Sequence, residues 1–220
     1  MGIFDAQGHP YPGYLITFCG LDGCGKTTMI HWLKSYLEGQ GRQVFLTKQP
    51  TPFVRESAIF RTYMDEENHS AYDYRSLSLL AASDRVQHCN RVIVPELEKG
   101  NVVISDRYFY SCLANLRARG FAEDRWIYEV AGFIPKPDLA LFIDVEVEEA
   151  VRRVRSREEE RDRYIDMPLQ YRLREEYLDI ADAVGGAVMS GQQPVQEEKA
   201  ALRRLIDEVF SRDAASKRYA

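Results

Sequence analysis

Eight consecutive residues, Gly20-Leu21-Asp22-Gly23-Cys24-Gly25-Lys26-Thr27, carry the GxxxxGK[ST] spacing of a P-loop. Each part has a chemical reason. Glycines let successive backbone N–H groups curl around phosphate oxygens, and the helix N-terminus behind them adds the positive end of its dipole. Lys26 is spaced to reach the β- and γ-phosphates of a nucleoside triphosphate, and the Thr27 hydroxyl to ligate magnesium. A glycine-rich turn with a solvated lysine is the bland alternative. The string stands between a buried strand and a helix, which favours the phosphate cradle. No Asn-Lys-x-Asp base reader occurs in the chain, so a guanine-specific switch is not expected.

Phosphoryl transfer to an acceptor needs a second anion site. Ser105-Asp106-Arg107-Tyr108 ends an apolar run, and a carboxylate and a guanidinium there project into the crevice where parallel sheets bind ligands. Asp106 suits the magnesium shell and Arg107 a bidentate grip on an acceptor phosphate. Asp144, at another strand end, is a rival that reads as a structural or hinge carboxylate instead. Arg85 lies on an alanine-rich helical surface. From Arg152 to Arg163 there are six arginines in twelve residues, interleaved with acids. Alone that would be a salt-bridged exposed helix. Beside a P-loop it reads as a closing lid, because this chemistry is mostly positioning and charge stabilisation.

These groups must be held by something. Tyr14–Cys19, Gln43–Thr47, Asn101–Ser105, Leu139–Asp144 and, more weakly, Ala187–Met189 are short apolar runs that predict buried strands. Helical spacing falls at Lys26–Glu38, Val54–Met64, 108–118, Val147–Arg157, Pro168–Val184 and Val195–Phe210. A long helix is expected over Asp73–Glu98, bent or divided at Pro95. Strands without alternation, separated by helices, predict a parallel sheet covered on both faces.

The 220 residues suit one α/β unit, with 1–13 an irregular arm, 14–212 the domain (lid about 152–166) and 213–220 a frayed tail. Hydrophobic residues at 45% exclude global disorder, and 29 basic against 34 acidic residues (net −5) argue against a nucleic-acid or anionic-membrane binder. No apolar run approaches a membrane span. Nor does the start carry a myristoylation signal or the layout of a secretion signal. The four cysteines show no CxxC pair, so a reduced, cytoplasmic protein is expected rather than a disulfide or zinc framework.

In this order the segments resemble the thymidylate kinases of the nucleoside-monophosphate kinase superfamily. The likeness rests on the P-loop with Asp22-Gly23, Thr47-Lys48-Gln49-Pro50, Ser83-Asp84-Arg85-Val86-Gln87-His88 and Pro95 to Gly100. It continues through Val103 to Tyr108 with Ser111, Lys136-Pro137-Asp138, Leu141 to Asp144, and the arginine lid with Asp162-Arg163-Tyr164. It covers about residues 14–184. The resemblance implies a three-layer P-loop NTPase fold with a five-stranded parallel sheet, a homodimer, and ATP with Mg2+ as cofactors. The implied reaction is phosphorylation of a nucleoside monophosphate, dTMP to dTDP. It implies Asp22 near the acceptor sugar or its magnesium, Arg107 on the acceptor phosphate, and Arg85 at the pyrimidine edge. Arg153 and Arg157 would be lid cations, with Asp162 and Tyr164 closing over the acceptor.

Departures gather at the base. The family's stacking aromatic four residues before the helix arginine is Ala81, its Ala-Tyr-Gln is Ala114-Asn115-Leu116, and its Arg-Glu-Pro is Lys48-Gln49-Pro50. Deoxynucleoside kinases share the P-loop, the Asp-Arg strand end and the arginine lid. A nucleoside hydroxyl profits from a general base after strand two, however, and Gln49 cannot take a proton. A nucleotide-binding regulatory module without catalysis is the remaining reading. Retention of Lys26, Thr27, Asp106 and the lid arginines speaks against it.

Overall fold

Five strands run parallel in the order β2-β3-β1-β4-β5 in a computed structural model of the chain, which describes residues 8–216. They are β1 (Tyr14–Cys19), β2 (Val44–Lys48), β3 (Val102–Asp106), β4 (Leu139–Asp144) and β5 (Ala187–Ser190). Leu15, Ile16, Phe18, Val103, Ile104 and Leu141 are fully buried, as a sheet covered on both faces requires. This is the expected α/β arrangement, with strand ends moved by a residue or so.

Register positions the chemistry. Phe18 of β1 and Lys48 of β2 both pair with Asp106 of β3, and Cys19 pairs with Phe142 of β4. The chain after Cys19 and the chain after Asp106 therefore leave the sheet side by side at its C-terminal edge. The strand order reverses about β1 at this edge, which is where open parallel sheets form their ligand crevice.

Helix α1 (Lys26–Gly39) buries Met29, Ile30, Leu33 and Leu37, a stripe at helical spacing. It packs on α10 (Val195–Ser216), while α6 (Phe109–Ala118) packs on both α4 (Tyr74–His88) and α9 (Met167–Val184). Residues 8–13 of the expected arm form no regular element, though His9 Nε2 lies 2.8 Å from Asp138 Oδ2. Residues 1–7 of the arm and 217–220 of the tail lie outside the described residues; 213–216 continue α10.

Two local expectations are corrected, at Val54–Met64 and between β3 and β4, while the division expected near Pro95 is present. Val54–Met64 is not one helix but α2 (Pro52–Arg55) and α3 (Ala58–Asp65), because Ser57 leaves helical geometry and caps the second, its Oγ accepting from Phe60 N at 3.3 Å. The long helix over Asp73–Glu98 is divided ahead of Pro95, by a π turn at Cys89–Ile93 between α4 and α5 (Val94–Glu98). Proline supplies no N–H and its ring crowds the carbonyl one turn back, so the wider turn absorbs the mismatch. Between β3 and β4 lies a short helix, α7 (Trp126–Val130), that the sequence did not announce. Its N-cap Arg125 makes no side-chain cap. Helix α8 (Val147–Arg155) ends before Arg157 and leads into the arginine segment. No helix among the described residues is long and apolar enough to cross a membrane.

Candidate active site

The P-loop is wedged against the second half of the chain. Gly20, Gly23 and Gly25 have φ of 136°, 86° and 103°, a region costly for any residue with a Cβ. A Cβ on Gly23 would lie 2.2 Å from the Ala150 carbonyl oxygen of α8, and one on Gly20 would lie 2.5 Å from that of Ile143. At Gly25 nothing lies within 4 Å. Gly23→Ala should therefore lose about 3 kcal/mol of unfolding free energy, from backbone strain plus the collision, against about 1–2 kcal/mol for Gly25→Ala. Denaturant titration of both variants checks this. Equal losses would mean the loop is not clamped between β4 and α8.

Lys26 opens α1 and is 7% exposed. Its Nζ donates to the carbonyls of Gly20 (3.1 Å) and Leu21 (2.6 Å), with Cys24 Sγ at 3.4 Å. The ammonium is thus folded over the loop it belongs to, while Thr27 beside it is exposed. Burial pushes the Cys19 thiol up to about 11, so it is an inert core group.

Arg107 follows β3 with φ 69°, making it the one non-glycine residue in the left-handed region among the described residues. Its backbone is fixed on both sides: its N–H donates to Phe18 O (2.8 Å), and Ser105 Oγ donates to its carbonyl (2.7 Å). The guanidinium reaches the P-loop. Nη1 donates to Gly20 O (3.2 Å), Tyr177 Oη (3.0 Å) and Ser111 Oγ (3.4 Å), and Nη2 pairs with Asp22. The second Asp22 oxygen accepts from Arg163 Nη2 at 3.0 Å. Burial alone would raise the Asp22 pKa. Arg107, Lys26 and Arg163 outweigh that and hold the carboxyl well below the usual carboxylate range.

Asp106 splits its two oxygens. Oδ2 pairs with Lys48 Nζ at 3.0 Å, whereas Oδ1 is buried without a hydrogen-bond partner. Such an oxygen is costly unless something coordinates it. Behind it, Gln49 is fully buried. Gln49 Nε2 is 3.0 Å from His88 Nδ1, and the other ring nitrogen is 2.8 Å from Thr47 Oγ1. Burial lowers the His88 pKa, so the ring is neutral at pH 7.

The arginine segment divides. Arg153 Nη1 donates to the carbonyl of Gly191 (2.8 Å), the glycine that packs on Cys24 O, and Arg153 Nε donates to Glu149 (2.6 Å). Arg157 is half exposed and turned to Glu160 at 3.2 Å; Asp162 is exposed. The cation that reaches the P-loop is Arg163, which the site assignment from sequence left out; its place between Asp162 and Tyr164 was the available signal. Tyr177 of α9 and Ser111 were likewise not expected to hold Arg107. Asp144 accepts from Arg174 Nε (2.7 Å) and Nη2 (3.0 Å), contacts that suit a structural carboxylate.

A model of the family described as thymidylate kinase matches residues 18–201. A probable thymidylate kinase of Pyrococcus horikoshii is 40% identical over 174 residues, 77% of this chain and 83% of the relative. The chain belongs to the thymidylate kinase family. A probable thymidylate kinase of Pyrococcus abyssi is also 40% identical, over 177 residues (77% and 83%). A thymidylate kinase of Pelobacter propionicus is 35% identical over 181 (78% and 82%). This is a family of phosphotransferases that use ATP, built on the five-stranded P-loop sheet seen here. Arg85 is 2% exposed and its Nη1 donates to Ala81 O at 2.9 Å, so the helix's own backbone orients it where Ala81 offers no ring.

Proposed function

We propose that the chain transfers the γ-phosphoryl group of ATP to dTMP, giving dTDP and ADP. One observation carries this reading: the Arg107 guanidinium stands 3.2 Å from the Gly20 carbonyl of the P-loop. A cation able to grip a second phosphate thus sits against the cradle for the first. The backbone of residues 20–27 and Lys26 bind the triphosphate, Arg107 holds the acceptor phosphate, and Arg163 and Asp22 join lid to loop. Arg85 supports the pyrimidine, Arg153 stiffens the loop through Gly191, and Arg157, Asp162 and Tyr164 belong to the moving part of the lid.

Thr27 and Asp106 fit a magnesium ion. The unpartnered Oδ1 of Asp106 is the kind of hard oxygen the ion takes. Among the described residues no three His, Cys, Asp or Glu side chains gather into a metal cage, which suits an ion completed by phosphate oxygens and water. When bound, such an ion neutralises charge on the β- and γ-phosphates.

A monophosphate acceptor is favoured over a nucleoside because Gln49, buried and bound to His88, offers no base for a hydroxyl. A panel of nucleosides and nucleoside monophosphates, each with ATP and Mg2+ and scored for ADP release, should show turnover with dTMP and none with thymidine. Turnover of nucleosides alone would overturn the reading, and so would nucleotide binding without turnover. We read the enzyme as a cytoplasmic homodimer. Four buried cysteines outside any disulfide suit a reducing compartment, and Leu79 of α4 stands 54% exposed.

A further inference from the structure

The arginine segment hangs between two stems, α8 before it and α9 after it, and one side chain joins them. Arg174 of α9 donates through Nε (2.7 Å) and Nη2 (3.0 Å) to the two oxygens of Asp144, where β4 ends. Its Nη1 (2.5 Å) and Nη2 (2.9 Å) reach both oxygens of Glu146, the residue that opens α8. Nearly one turn earlier on the same face of α9, Tyr171 donates to Glu148 of α8. Isolated surface pairs contribute little, but a guanidinium forked onto two carboxylates at once has a fixed geometry and makes a network. The Arg174 side chain is only 24% exposed, so water screens it in part.

The two stems are fastened to different parts of the molecule. Helix α8 goes with the P-loop: Gly23 lies against Ala150, and Gly20 against Ile143, the residue before Asp144. Helix α9 goes with α6, the helix that follows Arg107. Arg117 of α6 pairs with Glu176 at 2.6 Å, and Arg172 Nε donates to the Ala118 carbonyl at 2.8 Å. Arg163 stands shortly before α9 and must still meet Asp22 on the P-loop, which it does at 3.0 Å. Where α9 stands relative to α8 therefore decides whether that contact is within reach. A cation helps phosphoryl transfer only when it is held in place beforehand, and small misplacements are costly.

We infer that Arg174 is a positioning residue for phosphoryl transfer: by gripping Asp144 and Glu146 together it fixes the two stems of the lid and keeps Arg163 in register with the P-loop. It touches no reacting group itself and acts through Arg163. The strand-end carboxylate Asp144 thereby gains a purpose beyond packing, as the fixed point on which the lid is hung. The kinetic part of the inference rests on the proposed monophosphate kinase activity and adds which side chain sets the lid.

The test is a double-mutant cycle on the full chain with ATP, Mg2+ and dTMP. Arg174→Ala should lower kcat by about 10-fold, part of what a misplacement of roughly 1 Å can cost, with KM for dTMP and for ATP each within about threefold of the wild type. In an Arg163→Ala background the same substitution should cost less than about twofold, because nothing is left for the brace to place. Glu146→Gln releases the α8 arm alone, at a half-exposed side chain where folding is not at stake. It should show the same pattern with a loss of about three- to fivefold, the weight of a charge-assisted hydrogen bond. Hydrogen exchange reads the lid without turnover. The Glu160 and Arg163 amides, bonded to the carbonyls of Arg157 and Glu160, should exchange about tenfold faster in both variants, while β1 and β3 do not change. Losses that simply add in the Arg163→Ala background, or lid exchange equal to that of the wild type, would reduce Arg174 to a stability contact and overturn its role. A wild type that phosphorylates no monophosphate would defeat the activity instead, and the exchange rates would still decide the brace.

Discussion

Replacing Lys26 by alanine is expected to lower kcat for phosphoryl transfer by about 10³-fold, the scale found when one preorganised positive group is taken from the developing charge. The chain should remain folded. Lys26 Nζ donates to the Gly20 and Leu21 carbonyls, and Gly20 O keeps Arg107 Nη1 as a second donor. The loop's shape is set elsewhere, by the close seating of Gly20 and Gly23 against Ile143 and Ala150. Thermal melting should therefore move by only a few degrees, on the order of 1 kcal/mol. Measuring ADP release together with the melting curve separates the two effects. Turnover within threefold of the wild type would remove the P-loop lysine from the mechanism.

Arg107→Ala has the second largest expected effect, and it is asymmetric. KM for dTMP should rise by about 100-fold, the cost of losing a bidentate guanidinium from a partly buried phosphate, while KM for ATP changes little. Comparable rises in both would show that Arg107 serves the cradle rather than the acceptor. The backbone offers an independent check. Because φ at this position is 69°, Arg107→Gly should be more stable to urea than Arg107→Ala by about 1–2 kcal/mol, although the two are equally impaired. A residue kept in that conformation by Phe18 O and Ser105 Oγ holds its side chain at one angle to the P-loop. Local strain of this kind collects at sites of function.

The parts of the site that could be read from the sequence were those made of neighbours. Residues 20–27 form a cradle by themselves, and Asp106-Arg107 needed only the recognition that a buried strand ends there. The P-loop sheet followed from apolar runs separated by helical spacing. What could not be read depended on where distant segments meet. Arg163 lies 141 residues from Asp22, and six arginines stood as candidates for that contact. The turn at Glu158–Glu160 leaves Arg157 beside Glu160 and carries Arg163 inward. Nothing in the composition of the segment says which way that turn sends the chain. Tyr177 and Ser111 are ordinary helix residues until α6 and α9 pack. The capping Ser57 was local after all, a serine signal that a uniform helical spacing obscured, whereas the division ahead of Pro95 was legible from the proline itself.

The seating of the P-loop has a consequence for how the protein is made. Eight adjacent residues are short enough to take shape as soon as they leave the ribosome. Yet Gly20 rests on Ile143, Gly23 on Ala150 and Cys24 O under Gly191, and β1 pairs with β3 on one side and β4 on the other. Contacts so distant in sequence form slowly, because the intervening chain must be closed first. The cradle is therefore assembled late in folding, after nearly all of the polypeptide has been synthesised. A nascent or truncated chain that stops before β4 carries the complete motif and has no surface to mould it.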